Sequence, residues 1–171
     1  MAGWREHWIS PGDRGITQTI NKMRSAIAFS LTQSPAIRAA AENAIRGCPA
    51  RDSICEVRSL YDWTMSHFHY VNDPKNVELL KSPEVSMQEI QMTGSFMGDC
   101  DDATALMAAL LKSIGYAVRA AVISKPGSSG EFVHVYPVAI LRNGEAIPLE
   151  MTRPGGFDWE APHGRIRYYS I

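Results

Sequence analysis

Three residues of this chain could together form a thiol-dependent catalytic site: Cys100, His134 and Glu150. A thiol at the first position of a helix has its thiolate favoured by the helix dipole, and the unpaired N–H groups there can hold an oxyanion. An imidazole can take the thiol proton, and the resulting thiolate–imidazolium pair can attack a carbonyl carbon. A third group must orient the imidazole, and Glu150 is the acid best positioned to do so.

A buried helix is predicted to begin at Cys100. Apolar residues recur at spacings of three and four after it, so they share one helix face. Asp99 is a good N-cap and Gly115 a good stop. The apolar positions are Ala103, Leu106, Met107, Leu110, Leu111 and Ile114.

After this helix the hydrophobic period changes from 3.6 to 2, which predicts strands. The pair Asn143-Gly144 is typical of a tight hairpin, and the hairpin should place Glu150 beside the strand that carries His134. Alternation along that strand puts Phe132, His134 and Tyr136 on one face. The predicted strands are Tyr116–Ile123, Phe132–Leu141, Glu145–Glu150 and a final Arg165–Ile171.

Amphipathic spacing predicts three helices in the first half of the chain, beginning near Ile16, Pro35 and Asp52. Residues 71–97 are interpreted as a long loop with one helical turn around Met87–Ile90, leading into Cys100. Helices followed by an antiparallel meander predict an α+β fold in which the sheet packs on the Cys100 helix.

The expected domain division is an irregular N-terminal arm, residues 1–15, and a single domain, residues 16–171. Trp4 and Trp8 lie in the arm. Because a free tail rarely carries two tryptophans, we expect them to dock on the domain or on a partner protein.

Composition narrows the possible classes of function. The 171 residues carry a formal net charge of −1, which gives no argument for nucleic acid or an anionic membrane. No apolar run reaches the roughly 20 residues of a membrane span, and the N-terminus lacks the apolar core of a signal peptide. We therefore expect no nucleic-acid or membrane partner.

Cysteine number and spacing suggest neither a disulfide framework nor a zinc site. Cys48 and Cys55 are interpreted as small, buried residues. No cofactor and no metal are predicted. A weaker alternative is divalent-metal binding by Asp99, Asp101, Asp102 and Glu150.

A simpler interpretation of the thiol remains open. A cysteine at a helix start is often a small core residue, and a strand histidine is often only hydrogen-bonded. The aspartates Asp99, Asp101 and Asp102 also oppose thiolate formation unless they point away or pair with cations. Helix capping and solvation are sufficient to explain Asp99 and Asp102.

The segments GDCDDATALMAALLKSIGYAVRAAVI, FVHVYPVAI and IPLEMTRPGG resemble the transglutaminase-like superfamily of papain-fold cysteine enzymes. The upstream YDWTMSHFHYVND is similar to the helix end of that family, and the resemblance covers about residues 54–160. It implies that Cys100 is the nucleophile, His134 the general base and Glu150 the third member, where the family normally has Asp. Met151 replaces the usual Pro, and Val135 stands where an aromatic residue is frequent.

The resemblance implies cysteine-dependent acyl transfer or amide hydrolysis through a thioester, and we favour hydrolysis of a peptide or peptidoglycan substrate. The alternative is an inactive structural or assembly module that docks through its N-terminal arm. Short members with a GDCDD motif resemble proteins encoded by phages and prophages. A cytoplasmic location, or a virion for a phage protein, is therefore expected.

Overall fold

The computed structural model describes residues 13–73, 79–128 and 130–171. Trp4 and Trp8 lie outside these residues, so docking of the N-terminal arm stays a prediction. Residues 13–15, which were predicted to belong to the irregular arm, are already helical. The elements in chain order are α1 (Asp13–Gln33), α2 (Pro35–Ala44), α3 (Ser53–His67), β1 (Phe68–Tyr70), α4 (Pro83–Thr93), β2 (Phe96–Gly98), α5 (Cys100–Ser113), β3 (Ala117–Ser124), β4 (Phe132–Ile140), β5 (Ala146–Pro148) and β6 (Ile166–Ser170).

Helix α5 lies at the centre of the molecule. Every residue from Asp101 to Leu111 is buried, so the helix is enclosed all round rather than along one face. Helices α1 to α4 pack against it, and β3 and β4 cover its other side. The small side chains of Ala105, Ala108 and Ala109 let these neighbours approach closely. No helix in the described ranges is long and apolar enough to span a bilayer.

The predicted α+β class and antiparallel sheet are confirmed. The four strands lie in the order β5-β4-β3-β6, and every neighbouring pair is antiparallel. The hairpin forms at Asn143-Gly144, where Gly144 has a φ of +88°, a conformation that favours glycine. Pairing extends past β5, since the Leu149 N–H donates to the Pro137 carbonyl at 2.9 Å. Glu150 is therefore brought beside the β4 strand.

The predicted alternation of Phe132, His134 and Tyr136 is wrong for Phe132. Ser124 pairs with Phe132 and Ile123 pairs with His134, so Val133 is an extra residue in β4. Phe132 packs against the main core, whereas Tyr136 belongs to a smaller cluster. The His134 ring lies beside that of Tyr136, with 6.0 Å between centroids.

The predicted loop at residues 71–97 is replaced over most of its length by regular structure. Helix α4 is longer than one turn: Pro83 lies in its first turn and Gly94, at φ +85°, ends it. Strands β1 and β2 pair in parallel, with Phe68 opposite Phe96. The strand before Cys100 is thus fixed to the end of α3. Residues 74–78 lie outside the described ranges.

Cys48 and Cys55 form a disulfide, with an S–S distance of 2.06 Å, which corrects the prediction that they are separate buried residues. Both are partly exposed. The turn between α2 and α3 brings them together, and Asp52 caps α3 by accepting a hydrogen bond from the Cys55 N–H at 3.0 Å. The sequence did not predict this disulfide, because three cysteines are too few and odd in number to suggest a disulfide framework.

Candidate active site

Cys100 occupies the first position of α5, as the sequence predicts. The Asp99 side chain accepts a hydrogen bond from the Asp101 N–H at 3.1 Å, so Asp99 is the N-cap. Cys100 is half-buried and takes no part in a disulfide. Its position at the helix N-terminus favours the thiolate electrostatically.

The first turn of α5 runs beside the β4 strand next to His134. The Thr104 hydroxyl donates to the Cys100 carbonyl at 2.7 Å and lies 3.4 Å from the Val135 carbonyl. Thr104 is fully buried between helix and strand. This packing joins the turn that carries Cys100 to the strand segment that carries His134.

His134 and Glu150 form a direct, buried contact. The His134 Nε2 lies 2.5 Å from the Glu150 Oε2, and the two residues are 7% and 0% exposed. Glu150 follows β5 by two residues, and its longer side chain spans the distance to the imidazole. Because Nε2 is engaged by the carboxylate, Nδ1 is the ring nitrogen left to act on a thiol.

Further hydrogen bonds fix the Glu150 side chain and backbone. The Glu150 Oε1 accepts from both the N–H and the hydroxyl of Thr152, each at 2.8 Å. The Tyr61 hydroxyl donates to the Glu150 carbonyl at 2.9 Å. The carboxylate is therefore held on both oxygens, and the imidazole it contacts is held with it.

The Glu150 carboxyl remains ionised despite its burial. Burial raises its pKa, but the hydrogen bond and charge of His134 and the Thr152 donors outweigh that effect, and the net pKa is below the ordinary value. A group with a lowered folded pKa stabilises the protein above its unfolded pKa and loses that contribution as pH falls through the folded value. The His134–Glu150 pair thus persists at neutral and mildly acidic pH.

Tyr70 is a residue near Cys100 that no pattern in the sequence indicated. It lies opposite Gly98 in the parallel β1–β2 pair, is 49% exposed, and donates to the Asn72 Oδ1 at 2.9 Å. Partial burial raises the phenol pKa, and the charges of Cys100 and Asp99 raise it further. The available signal was an aromatic residue just past the third predicted helix, within the segment that resembles the family.

The four-carboxylate metal alternative is not assembled in the structure. Oxygens of Asp99, Asp101 and Asp102 come within 4.8 Å of one another. Glu150 lies instead with His134 and Thr152. Asp99 serves as an N-cap, as the simpler interpretation expected.

Asp102 has a role beyond solvation, contrary to the simpler interpretation. It is 3% exposed, and its Oδ1 accepts from the Lys81 N–H at 2.6 Å. A Cβ at Gly98 would lie 2.5 Å from the Asp102 Oδ2, so only glycine fits there. The Lys81 ammonium donates in turn to Glu89 at 2.9 Å and to the Met97 carbonyl at 2.5 Å. Asp102 therefore ties the chain before α4 to the Cys100 turn.

Replacing Asp102 by Asn is expected to stabilise the protein at high pH. Burial raises the Asp102 pKa to about 7, against a smaller lowering by the Lys81 N–H. A folded pKa above the unfolded value means that the free energy of unfolding decreases as pH rises from about 4 to about 7. Asn removes the charge and keeps an acceptor for Lys81, so we expect a gain of about 1–3 kcal/mol at pH 8 and less at pH 5.

Urea unfolding of both proteins at the two pH values measures this difference. The exposed Asp62→Asn is the matched control, and its effect should be small at either pH. A stability change for the Asp102 variant that does not depend on pH would contradict a raised pKa.

Comparison with known proteins yields one family and a similar fold. A family model described as the transglutaminase-like superfamily matches residues 38–151. No curated protein matches the chain. The crystal structure of a "putative protease" from Parabacteroides distasonis superposes with a TM-score of 0.59 at 10% identity, covering 84% of this chain and 27% of that one. A "putative cysteine protease" from Cytophaga hutchinsonii gives a TM-score of 0.48 at 19% identity, covering 68% of this chain and 37% of that one.

The structural likeness and the family match support different conclusions. The Parabacteroides likeness shows the fold, and the chain spans only about a third or less of that protein's length. The family match is the more specific of the two, because it is a match of sequence that extends from α2 to Met151 and includes Cys100, His134 and Glu150. The match covers more than half of the sequence, and the chain belongs to the transglutaminase-like superfamily.

Proposed function

We propose that the protein cleaves or transfers an acyl group from an amide, with Cys100 as nucleophile, His134 as general base and Glu150 as its orienting acid. The observation that carries this proposal is the buried 2.5 Å contact between His134 and Glu150. Burying an ionised carboxylate costs free energy unless it is paired and hydrogen-bonded. Here the pair lies in the strand segment beside the Cys100 turn.

The proposed reaction follows from these positions. His134 Nδ1 takes the Cys100 proton, and the thiolate attacks the amide carbonyl carbon. The Cys100 N–H holds the oxyanion, and we infer that the Tyr70 hydroxyl turns from the Asn72 Oδ1 to supply a second donor. The imidazolium then protonates the leaving nitrogen, the C–N bond breaks and a thioester remains. Water or an amine, deprotonated by His134, attacks the thioester and restores the thiol–imidazole pair.

We favour water as the second nucleophile and a peptide or peptidoglycan as the substrate. Cys100 is half-buried and Tyr70 is 49% exposed, so the region open to a substrate is also open to solvent. A transferase must exclude water from its thioester, because water would otherwise hydrolyse the thioester before an amine binds. An open site favours hydrolysis.

An assay with peptide libraries and peptidoglycan, run with and without a fluorescent primary amine, tests this proposal. Release of new amino and carboxyl termini without labelling is the expected result. Incorporation of the amine would assign a transferase instead. Neither product at any pH from 5 to 9 would contradict the proposed activity.

An inactive assembly module, the alternative function, has less support. A scaffold has no need of a buried His–Glu pair, since a well-packed apolar pair is often equally stable. Phage origin and location stay predictions. Between the cytoplasm and a virion, the Cys48–Cys55 disulfide favours the virion, because cytosolic reductants keep thiols reduced.

A further inference from the structure

Arg153 is a half-buried residue beside the candidate site. It follows Thr152, whose hydroxyl contacts Glu150 at 2.8 Å and lies 3.5 Å from the His134 Nε2. Its guanidinium is also close enough to Tyr70 for its charge to lower the pKa of that phenol. Arg153 is therefore next in sequence to a residue that contacts Glu150 and His134, and its charge reaches Tyr70.

The Arg153 guanidinium is not used in holding the fold. It is half-buried, yet it makes no hydrogen bond or ion pair with any residue in the described part of the chain. None of its nitrogens is buried without a partner, so they reach solvent. A guanidinium presents paired donors that match the two oxygens of a carboxylate.

The two acids that act on Tyr70, Asp99 and Asp73, each already accept a hydrogen bond from a backbone N–H. The Asp99 side chain accepts from the Asp101 N–H at 3.1 Å. The Asp73 Oδ2 accepts from the Leu79 N–H at 2.5 Å. One oxygen of each carboxylate is thus engaged by the backbone, whereas the Arg153 donors have no partner in the described part of the chain and are available to a ligand.

We propose that Arg153 binds a carboxylate of the substrate next to the scissile bond, so that the site selects amides adjacent to a free carboxylate. This proposal rests on Cys100 being the nucleophile. The carboxylate can come from a chain terminus one residue beyond the cleaved amide or from an acidic side chain at that position. Both sources present the same two carboxylate oxygens to the guanidinium.

Alkylation of Cys100 by iodoacetate and by iodoacetamide tests the proposal without a known substrate. The reagents differ by one carboxylate, and each forms an S–C bond with loss of iodide. Both rates depend equally on the fraction of Cys100 that is thiolate. A change in that fraction caused by a substitution therefore leaves the ratio of the two rates unchanged. Removing a unit charge several ångströms away at a surface site should lower the iodoacetate-to-iodoacetamide ratio about fivefold in Arg153→Gln.

Two variants make the comparison specific. Arg153→Lys keeps the charge and should retain most of the preference for iodoacetate. The exposed Arg46→Gln lies near the far end of α3, about 20 Å along that helix from β1, and should leave the ratio unchanged. An unchanged ratio in Arg153→Gln, with Cys100 still more reactive than a free thiol, overturns the role of Arg153 alone. A Cys100 no more reactive than a free thiol overturns the proposed function as well.

Protection against iodoacetamide distinguishes the two carboxylate sources. Acetyl-Ala-Ala with a free C-terminus, its C-terminal amide, and acetyl-Ala-Glu amide are the probes. Protection by the free acid alone assigns a terminal carboxylate, and protection by the Glu peptide alone assigns a side chain. Equal protection by all three, including the neutral amide, overturns carboxylate selection.

Discussion

Replacing Cys100 by alanine is expected to abolish amide cleavage, with a loss of at least about 10⁴-fold in kcat/KM. The thiolate is the group that forms the thioester, and no other residue of the site can form that bond. The residual rate should be only what substrate binding and the oxyanion donors supply without a nucleophile. Turnover of the best peptide found in the library assay measures this loss.

The same variant tests the structural alternative. Cys100 is only half-buried, so removing its sulfur should change the free energy of unfolding by about 1 kcal/mol or less. Because Cys48 and Cys55 are joined in a disulfide, the variant should also lose all labelling by iodoacetamide. A folded Cys100→Ala protein with full biological activity would establish the assembly module instead.

Replacing Glu150 by glutamine is expected to lower kcat by about 10²–10⁴-fold with little change in KM. The Thr152 N–H and hydroxyl would retain the amide oxygen, which turns the glutamine NH₂ towards the His134 Nε2. Nε2 must then accept, so the imidazole proton moves to Nδ1. That nitrogen must be unprotonated to take the thiol proton.

Two controls separate this tautomer effect from a general loss of charge. Glu150→Asp keeps the carboxylate but shortens its reach, and should retain more activity than the glutamine variant. Glu160→Gln removes an acid that accepts from the Tyr136 hydroxyl at 3.2 Å, outside the proposed machinery. Equal activity of Glu150→Gln and the wild type would show that Glu150 does not set the imidazole tautomer.

The sequence predicted the parts of the fold that depend on local patterns. The Cys100 helix, the Asn143-Gly144 hairpin and the final strand follow from periodicity, capping and turn chemistry. The contact between His134 and Glu150 follows from the hairpin, because its register sets which residues lie side by side. The functional roles of these residues stay proposals.

Features that depend on distant pairing were missed. Strands β1 and β2 have three residues each, too few for a visible period, and they pair only because α4 returns the chain. The position of Tyr70 near Cys100 and the hydrogen bond of Asp102 with the Lys81 N–H follow from that return. Neither contact could be predicted from the sequence, because each depends on how the strand before Cys100 pairs with β1 and on where Lys81 lies.

The pH dependence of Cys100 alkylation by iodoacetamide distinguishes an activated thiol from an ordinary one. In the wild type we expect a thiol pKa below the ordinary value of about 8.5. In His134→Gln, whose side chain fills the site and can still donate to Glu150, we expect a clearly higher thiol pKa. A pKa near 8.5 in both proteins would contradict a thiolate–imidazolium pair.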